Sequence, residues 1–273
     1  MSAFADIAVT GASAGNRVTS AIAMASRRTG VDFGYLLGQA KIESSLNPNA
    51  RASTSSATGL YQFIDQSWLA VIDKHGSEYG LGWAADAIGR GSNGRYYVSD
   101  PDLRQQILDL RKHPETASVM AAEHAADNKA YLEQRLGREA EPVDLYLAHF
   151  LGVGGAAKFL STHDRAPGAS AASLFPAASR ANRSIFYDKQ GNARSFADIR
   201  GRFASKLQKG MDATGIGDVR TAAASLPAGA KTIQPADYVR IETQRLASAA
   251  DVTVRPQPQT ARLAYLMLAT LGR

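Results

Sequence analysis

The stretch Ile42-Glu43-Ser44-Ser45-Leu46-Asn47-Pro48, followed eight residues later by Ser56-Ala57-Thr58-Gly59-Leu60-Tyr61-Gln62-Phe63, is the most informative part of this chain. Upstream of it, Asp32 is a good N-cap, and Phe33, Leu36, Leu37 and Ala40 recur at helical spacing. Glu43 lies seven residues beyond Leu36, two turns on, and so shares the face of that apolar stripe. A carboxylate anion on an apolar face is costly, burial favours the neutral acid, and a general acid needs that form. Gly59 permits close approach of a ligand or an unusual backbone angle. Gln62 offers a donor and acceptors suited to sugar hydroxyl and acetamido groups, and Ser44 offers a hydroxyl to hold the Glu43 carboxyl or an N-acetyl group.

Working outward, the pattern is mainly α. Helices are expected from Asn16 to Arg28, stopped by Thr29-Gly30, and from Asp32 to the Asn47-Pro48 break. A third carries Ile64, Trp68, Leu69 and Ile72, with Gly76 as its C-cap. Others span Leu103–Lys112, Ala117–Leu136 and the segment that starts at Pro142 with Val143, Tyr146, Leu147 and Phe150 facing inward. Gly152, Gly154 and Gly155 are expected to break that helix before a short one at Ala156–Leu160. Ser195 caps a helix bearing Phe196, Ile199, Phe203 and Leu207, ended by Gly210. A small hairpin is allowed in 76–101 or 183–194. Residues 1–15 read as a lead-in, 16–210 as one helical domain, 211–258 as a linker and 259–273 as an amphipathic helix with Leu263, Leu266 and Met267.

Length and composition narrow the class. The 273 residues are 45% hydrophobic and 21% charged, a globular balance. The absence of cysteine excludes a disulfide scaffold and Cys-based metal or nucleophile chemistry. Five histidines without a His-x-x-x-His spacing argue against a zinc enzyme, so no metal and no cofactor are expected. Residues 1–150 hold 14 Lys+Arg and 17 Asp+Glu, whereas 151–273 hold 17 and 8, giving −3 and +9. The basic half suits an anionic partner or is simply a solvated face; no nucleic-acid motif accompanies it, so nucleic acid is not expected. No apolar run is long enough for a transmembrane helix. The N-terminus lacks a secretory signal pattern, because Asp6 precedes any Lys or Arg, and Arg27 and Arg28 follow the apolar stretch 21–25.

The Glu-Ser pair and the loop ending Ala57-Thr58-Gly59-Leu60-Tyr61-Gln62 resemble the soluble lytic transglycosylases, which are similar to goose-type lysozyme. The family's third mark, Ala-Tyr-Asn-Ala-Gly, is altered here to Ala148-His149-Phe150-Leu151-Gly152, and Tyr61 stands where Met is usual. The resemblance covers about residues 17–165, with particular likeness to the muramidase-like proteins associated with flagella and secretion in α-proteobacteria. It implies a lysozyme-like helical domain with a C-terminal extension, acting on the β-1,4 bond between N-acetylmuramic acid and N-acetylglucosamine in peptidoglycan. It implies Glu43 as the sole acid and base, with a 1,6-anhydro product. Ser44, Gly59, Leu60, Tyr61, Gln62, His149 and Phe150 become substrate-binding residues, with His149 where the family has Tyr. Among the aromatic residues able to stack on sugars, Tyr96 and Tyr97 in the irregular segment are the better candidates; Trp68 reads as core and Trp83 is a further possibility. A hydrolase would instead need a second carboxylate, for which Asp65, Glu115 and Asp127 are unranked candidates. A scaffold that keeps the fold without turnover is the other alternative. The expected place of action is the periplasm, reached by a specialised export route. A flagellar or secretion component is the expected partner, docked by the C-terminal segment.

Overall fold

The computed structural model describes residues 17–214, which are mainly helical. The lead-in 1–15, the linker beyond 214 and the amphipathic helix 259–273 lie outside the described residues. Helix α1 covers 17–29 and ends at Gly30, whose φ of +74° supplies the left-handed stop. Asp32 then caps α2 (Phe33–Ser44), its carboxylate accepting from the Tyr35 amide at 2.7 Å.

Helix α2 is the axis of the molecule. The sequence expects one apolar stripe, but Phe33, Tyr35, Leu36, Leu37, Gln39 and Ala40 are all buried, together with Glu43. A helix covered on nearly all sides needs close neighbours. The closest is α12 (Phe196–Asp212), capped by Ser195. A Cβ on Gly210 would stand 2.9 Å from the Gly38 carbonyl, and one on Gly38 would stand 2.8 Å from Met211 Cγ. Gly210 is therefore a packing contact and does not end the helix as expected; α12 runs two residues further, so the expected boundary at 210 is corrected.

After α2 comes an irregular loop, then α3 (Asp65–His75). Trp68 is fully buried, and its indole nitrogen donates to the Ile107 carbonyl at 2.7 Å. It is core, as its helical position suggested. Gly76 does not cap α3 with a left-handed turn; its φ is −55°, and the chain continues into a 3-10 turn at Gly76–Tyr79. A short α4 (Gly82–Ala85) leads to a two-stranded antiparallel hairpin, β1 (Gly89–Arg90) and β2 (Tyr96–Tyr97), with Gly89 opposite Tyr97. The side-chain amide of Gln66 pins it to α3, accepting from the Tyr96 amide at 3.0 Å and donating to the Tyr96 carbonyl at 2.9 Å.

Helix α5 (Pro101–Asp109) is capped by Asp100 and ends in a 3-10 turn at Leu110–Lys112. The long α6 (Pro114–Leu136) begins three residues before the expected start, because Pro114 takes the first helical position. Helix α7 (Pro142–Leu151) starts with a reciprocal capping box between Glu141 and Asp144. Asp144 is fully buried and held by Arg138 at 2.7 Å and Arg200 at 2.9 Å, which ties α7 to α12. Removing either arginine would leave a charge partly uncompensated, a change worth about 3–5 kcal/mol in comparable pairs.

Only Gly152 of the three expected breakers breaks the chain; its φ is +71°. Gly154 and Gly155 lie inside α8 (Val153–Arg165), and this corrects the short helix expected at 156–160. Gly155 eases the packing there, because a Cβ would sit 3.1 Å from Leu151 Cβ. Three short helices follow: α9 (Ala171–Leu174), α10 (Pro176–Ala181) and α11 (Arg183–Phe186). Isolated bridges pair Tyr187 with Ala193 and Ser170 with Ser195 and return the chain to α12. One apolar cluster joins Ile22, Leu36, Trp68, Ile107, Met120, Leu147, Phe159 and Phe203. No helix among the described residues is long and apolar enough to cross a membrane.

Candidate functional site

Glu43 is the last but one residue of α2 and is 6% exposed. Its surroundings come from α7. The Tyr146 hydroxyl donates to Glu43 Oε1 at 3.4 Å, and His149 Nε2 stands 3.5 Å from the same oxygen. Tyr146 and His149 are three residues apart on one helix, so both face the same way. Their rings lie nearly parallel, with centroids 6.2 Å apart. The carboxyl group thus meets a phenol and an imidazole, both able to donate a hydrogen bond or yield to a substrate.

Burial pushes the Tyr146 hydroxyl well above the usual phenol range, and the neighbouring Glu43 and Tyr35 add to the effect. Tyr35 is raised for the same reasons: burial first, then Tyr61 and Glu43. Both therefore stay neutral donors. Lys206 of α12 places its ammonium 5.6 Å from the Tyr146 ring centroid. The residue keeps much of its surface in solvent, yet desolvation of the ammonium lowers its pKa, with Glu43 drawing it back up. His124 of α6 is half-buried and stacks edge-on to Phe63, at 6.0 Å between centroids. Desolvation pushes it down to about 4, and the charge of His149 pushes the same way, so His124 is neutral near pH 7.

The loop from 45 to 63 is built around unusual backbone. Ser45 and Leu46 both have positive φ, 55° and 63°, immediately after the Glu43 helix, and Gln62 has φ 49°. Such conformations cost about 1–3 kcal/mol each and persist where the surroundings enforce them. At the helix end the Ser45 and Leu46 amides bond back to the Lys41 and Ala40 carbonyls, and Arg111 braces the far part of the loop. Arg111 is 6% exposed and donates to the carbonyls of Ser56 at 2.8 Å, Phe63 at 2.9 Å and Leu108 at 2.8 Å, and to Asp65 at 3.0 Å. Gly59, at φ +83°, packs so tightly on Arg111 that an added Cβ would lie 2.0 Å from the Arg111 carbonyl oxygen.

Several expected site residues take a different role. The close approach that Gly59 permits is to Arg111, part of the protein itself. Gln62 is buried and donates its amide to the carbonyls of Ala50 at 3.2 Å and Gly59 at 2.9 Å, so its donor side holds the loop. Ser44 donates to the Ala40 carbonyl at 3.0 Å, one turn back in its own helix, and leaves the Glu43 carboxyl to Tyr146. Tyr61 is 1% exposed beside the Ser118 hydroxyl, so its ring is core and not the substrate-binding surface expected of it. Leu60 is wholly buried, and Phe150 packs its ring 5.0 Å from Phe203, so both side chains are core beneath the site.

Tyr96 and Tyr97 lie on the hairpin. Tyr96 is half-buried with Arg90 over its ring, and Tyr97 is 51% exposed with its ring covering Gly89. Trp83 is also exposed. The alternative carboxylates are all engaged. Asp65 pairs with Arg104 and Arg111, Glu115 with Arg17, and Asp127 with Lys74 and His75. Tyr35, Arg111, His124 and Lys206 escaped sequence reasoning. The sequence pattern faces Tyr146 inward without bringing it to the site; its three-residue offset from His149 is the signal that could have done so.

Searched against models of known protein families, the sequence matches none.

Proposed function

We propose that the chain is a peptidoglycan-cleaving enzyme with a lysozyme-like helical domain, a lytic transglycosylase whose single acid and base is Glu43. The observation that carries this reading is the buried Glu43 carboxyl, 3.4 Å from a phenol and 3.5 Å from an imidazole, with Glu-Ser closing its helix and the Gly-Leu-Tyr-Gln segment on the loop that follows.

The reaction needs one carboxyl that first gives and then takes a proton. Glu43 protonates the glycosidic oxygen as its bond to C1 of N-acetylmuramic acid breaks. The substrate's own acetamido oxygen bonds to C1 and carries the developing positive charge. The Glu43 carboxylate then accepts the proton of the C6 hydroxyl, whose oxygen bonds to C1 and releases the acetamido oxygen. The product is a 1,6-anhydro sugar, and no water is consumed. Tyr146, kept neutral by burial, supplies a hydrogen bond to the Glu43 carboxylate. That phenol comes one turn before the position at which the resembling family has its tyrosine, and His149 occupies that position here. The hairpin tyrosines Tyr96 and Tyr97 offer aromatic faces to the glycan. The ion pairs of Asp65 with Arg111, Glu115 with Arg17 and Asp127 with Lys74 support a one-carboxyl mechanism, because each carboxylate is already occupied by a cation. Such an enzyme works on the wall, outside the cytoplasm.

The test is turbidity clearing of purified peptidoglycan by the full chain and by Glu43→Gln. The wild type clears the suspension and the variant does not; full clearing by the variant would remove Glu43 from its role.

A further inference from the structure

A second cluster of ionisable groups lies where α3 ends against α6. His75 closes α3, Glu78 follows in the 3-10 turn, and Glu123 comes from α6. One ligand atom from each lies within 4.8 Å of the others. His75 is 8% exposed, and its Nδ1 is fully buried without a hydrogen-bond partner. That nitrogen lies beside two carboxylates, 3.4 Å from Glu78 Oε1 and 3.7 Å from Glu123 Oε2.

The other atoms of the cluster are already fixed. His75 Nε2 lies 2.9 Å from Asp127 Oδ2, and Lys74 holds the second oxygen of Asp127 at 2.7 Å. A proton on Nε2 satisfies Asp127 and leaves the Nδ1 lone pair bare, facing the two glutamates. The Tyr79 hydroxyl donates to Glu123 Oε1, which turns Oε2 towards His75. Arg28 covers the Tyr79 ring at 4.5 Å. A bare nitrogen lone pair set beside two carboxylates is a repulsive arrangement unless a cation joins them. The spacing agrees: bonds of about 2.0–2.2 Å to nitrogen and oxygen around a tetrahedral zinc ion separate its ligand atoms by roughly 3.3–3.6 Å. A carboxylate that hydrogen-bonds the far nitrogen of a ligating histidine is the usual outer support of such a site.

We propose that His75 Nδ1, Glu78 and Glu123 bind one divalent transition-metal cation of the zinc class, with Asp127 and Tyr79 orienting the ligands. Glu78 is exposed, so the site opens to solvent on that side and water completes the coordination. The ion clamps the end of α3 to the middle of α6, and the C-terminus of α3 favours its charge. The nitrogen ligand selects zinc over calcium or magnesium, which prefer all-oxygen sites. This assignment is independent of the glycosidase reading.

The experiment is calorimetric titration of zinc chloride into the full, tag-free chain after chelator treatment, with thermal unfolding in parallel. One zinc per chain is expected, with Tm raised by roughly 5–10 °C at a hundredfold excess over Kd. Glu78→Gln, on an exposed side chain that leaves the fold intact, is expected to weaken binding at least tenfold, as is Glu123→Gln. Asp127→Asn is expected to weaken it by about 10–100-fold. Calcium is expected to give no comparable shift. Absence of stoichiometric zinc uptake would overturn the proposal, as would an affinity unchanged in Glu78→Gln, which would move the zinc to a surface histidine such as His163. Nitrogen chemical shifts of His75 provide a second reading. A ring protonated on both nitrogens at neutral pH with zinc present would mean an imidazolium bridging the carboxylates and no metal.

Discussion

His149 beside Glu43 and His75 beside Glu123 are the same chemical pair in two different settings. Around Glu43, the neighbours are a neutral phenol at 3.4 Å and an imidazole at 3.5 Å, contacts long enough for a substrate to compete. Around His75, three carboxylates converge: Tyr79 fixes Glu123, Lys74 fixes Asp127, and Glu78 stays exposed to solvent. The first setting leaves a carboxyl free to exchange a proton. The second leaves a nitrogen lone pair among negative charges and suits a cation. Residue type alone does not separate the two; the count of charges and the assignment of each hydrogen bond do.

The sharpest way to break this contrast is Glu43→Gln. It keeps size and hydrogen bonding but removes the exchangeable proton, and a loss of about 10²–10⁴-fold or more in turnover is expected with Tm little changed. An unaltered rate would make the two clusters equivalent. Next is Gly59→Ala, which strikes the loop that follows Glu43 and leaves the His75 cluster alone. A Cβ at 2.0 Å from the Arg111 carbonyl, on a residue at φ +83°, is expected to cost about 3 kcal/mol or more and to lower Tm by roughly 6–12 °C. A thermal scan against wild type checks this.

Alkaline titration probes the buried tyrosines around the site. Burial raises Tyr35, Tyr61 and Tyr146 in the folded chain, whereas unfolded tyrosine titrates near 10. Above about pH 10 the unfolded state gives up protons that the folded state retains, so stability falls as pH rises past that point and is intact below it. Phenolate absorbance is expected to appear together with loss of far-ultraviolet circular dichroism; full ionisation of all ten tyrosines with the helices intact would contradict this burial. His149→Ala is expected to lower kcat by roughly tenfold, the worth of one hydrogen bond to a charged group, with little change in Tm. The smallest effect belongs to Tyr97→Ala on the hairpin, a rise in KM of a few-fold with kcat intact, measured on soluble glycan fragments.

Much of the frame was legible because it rests on local rules. Asp32 and Ser195 cap as expected, Gly30 ends α1, Pro142 opens α7, and Glu43 stands out from the pattern around Leu36. Local rules failed at glycines that serve packing. Gly210 and Gly155 look like stops, yet each sits within a helix and makes room for another segment, Gly38 in one case and Leu151 in the other. Arg111 holds a loop some fifty residues earlier in the chain, which no window of sequence displays. Residue type alone suits Gln62 and Ser44 to a ligand, but the backbone around them takes up their donors. The His75 cluster was missed for a similar reason. Its third ligand, Glu123, comes from another helix, so no short metal motif exists to find.

The most direct test of the central claim is digestion of purified peptidoglycan with the full wild-type chain, with the muropeptides analysed by mass spectrometry. The single-carboxyl mechanism predicts ends lighter than hydrolysed ends by one water, the 1,6-anhydro form, and none of them with Glu43→Gln. Reducing ends alone would contradict it and require a second carboxylate to activate water.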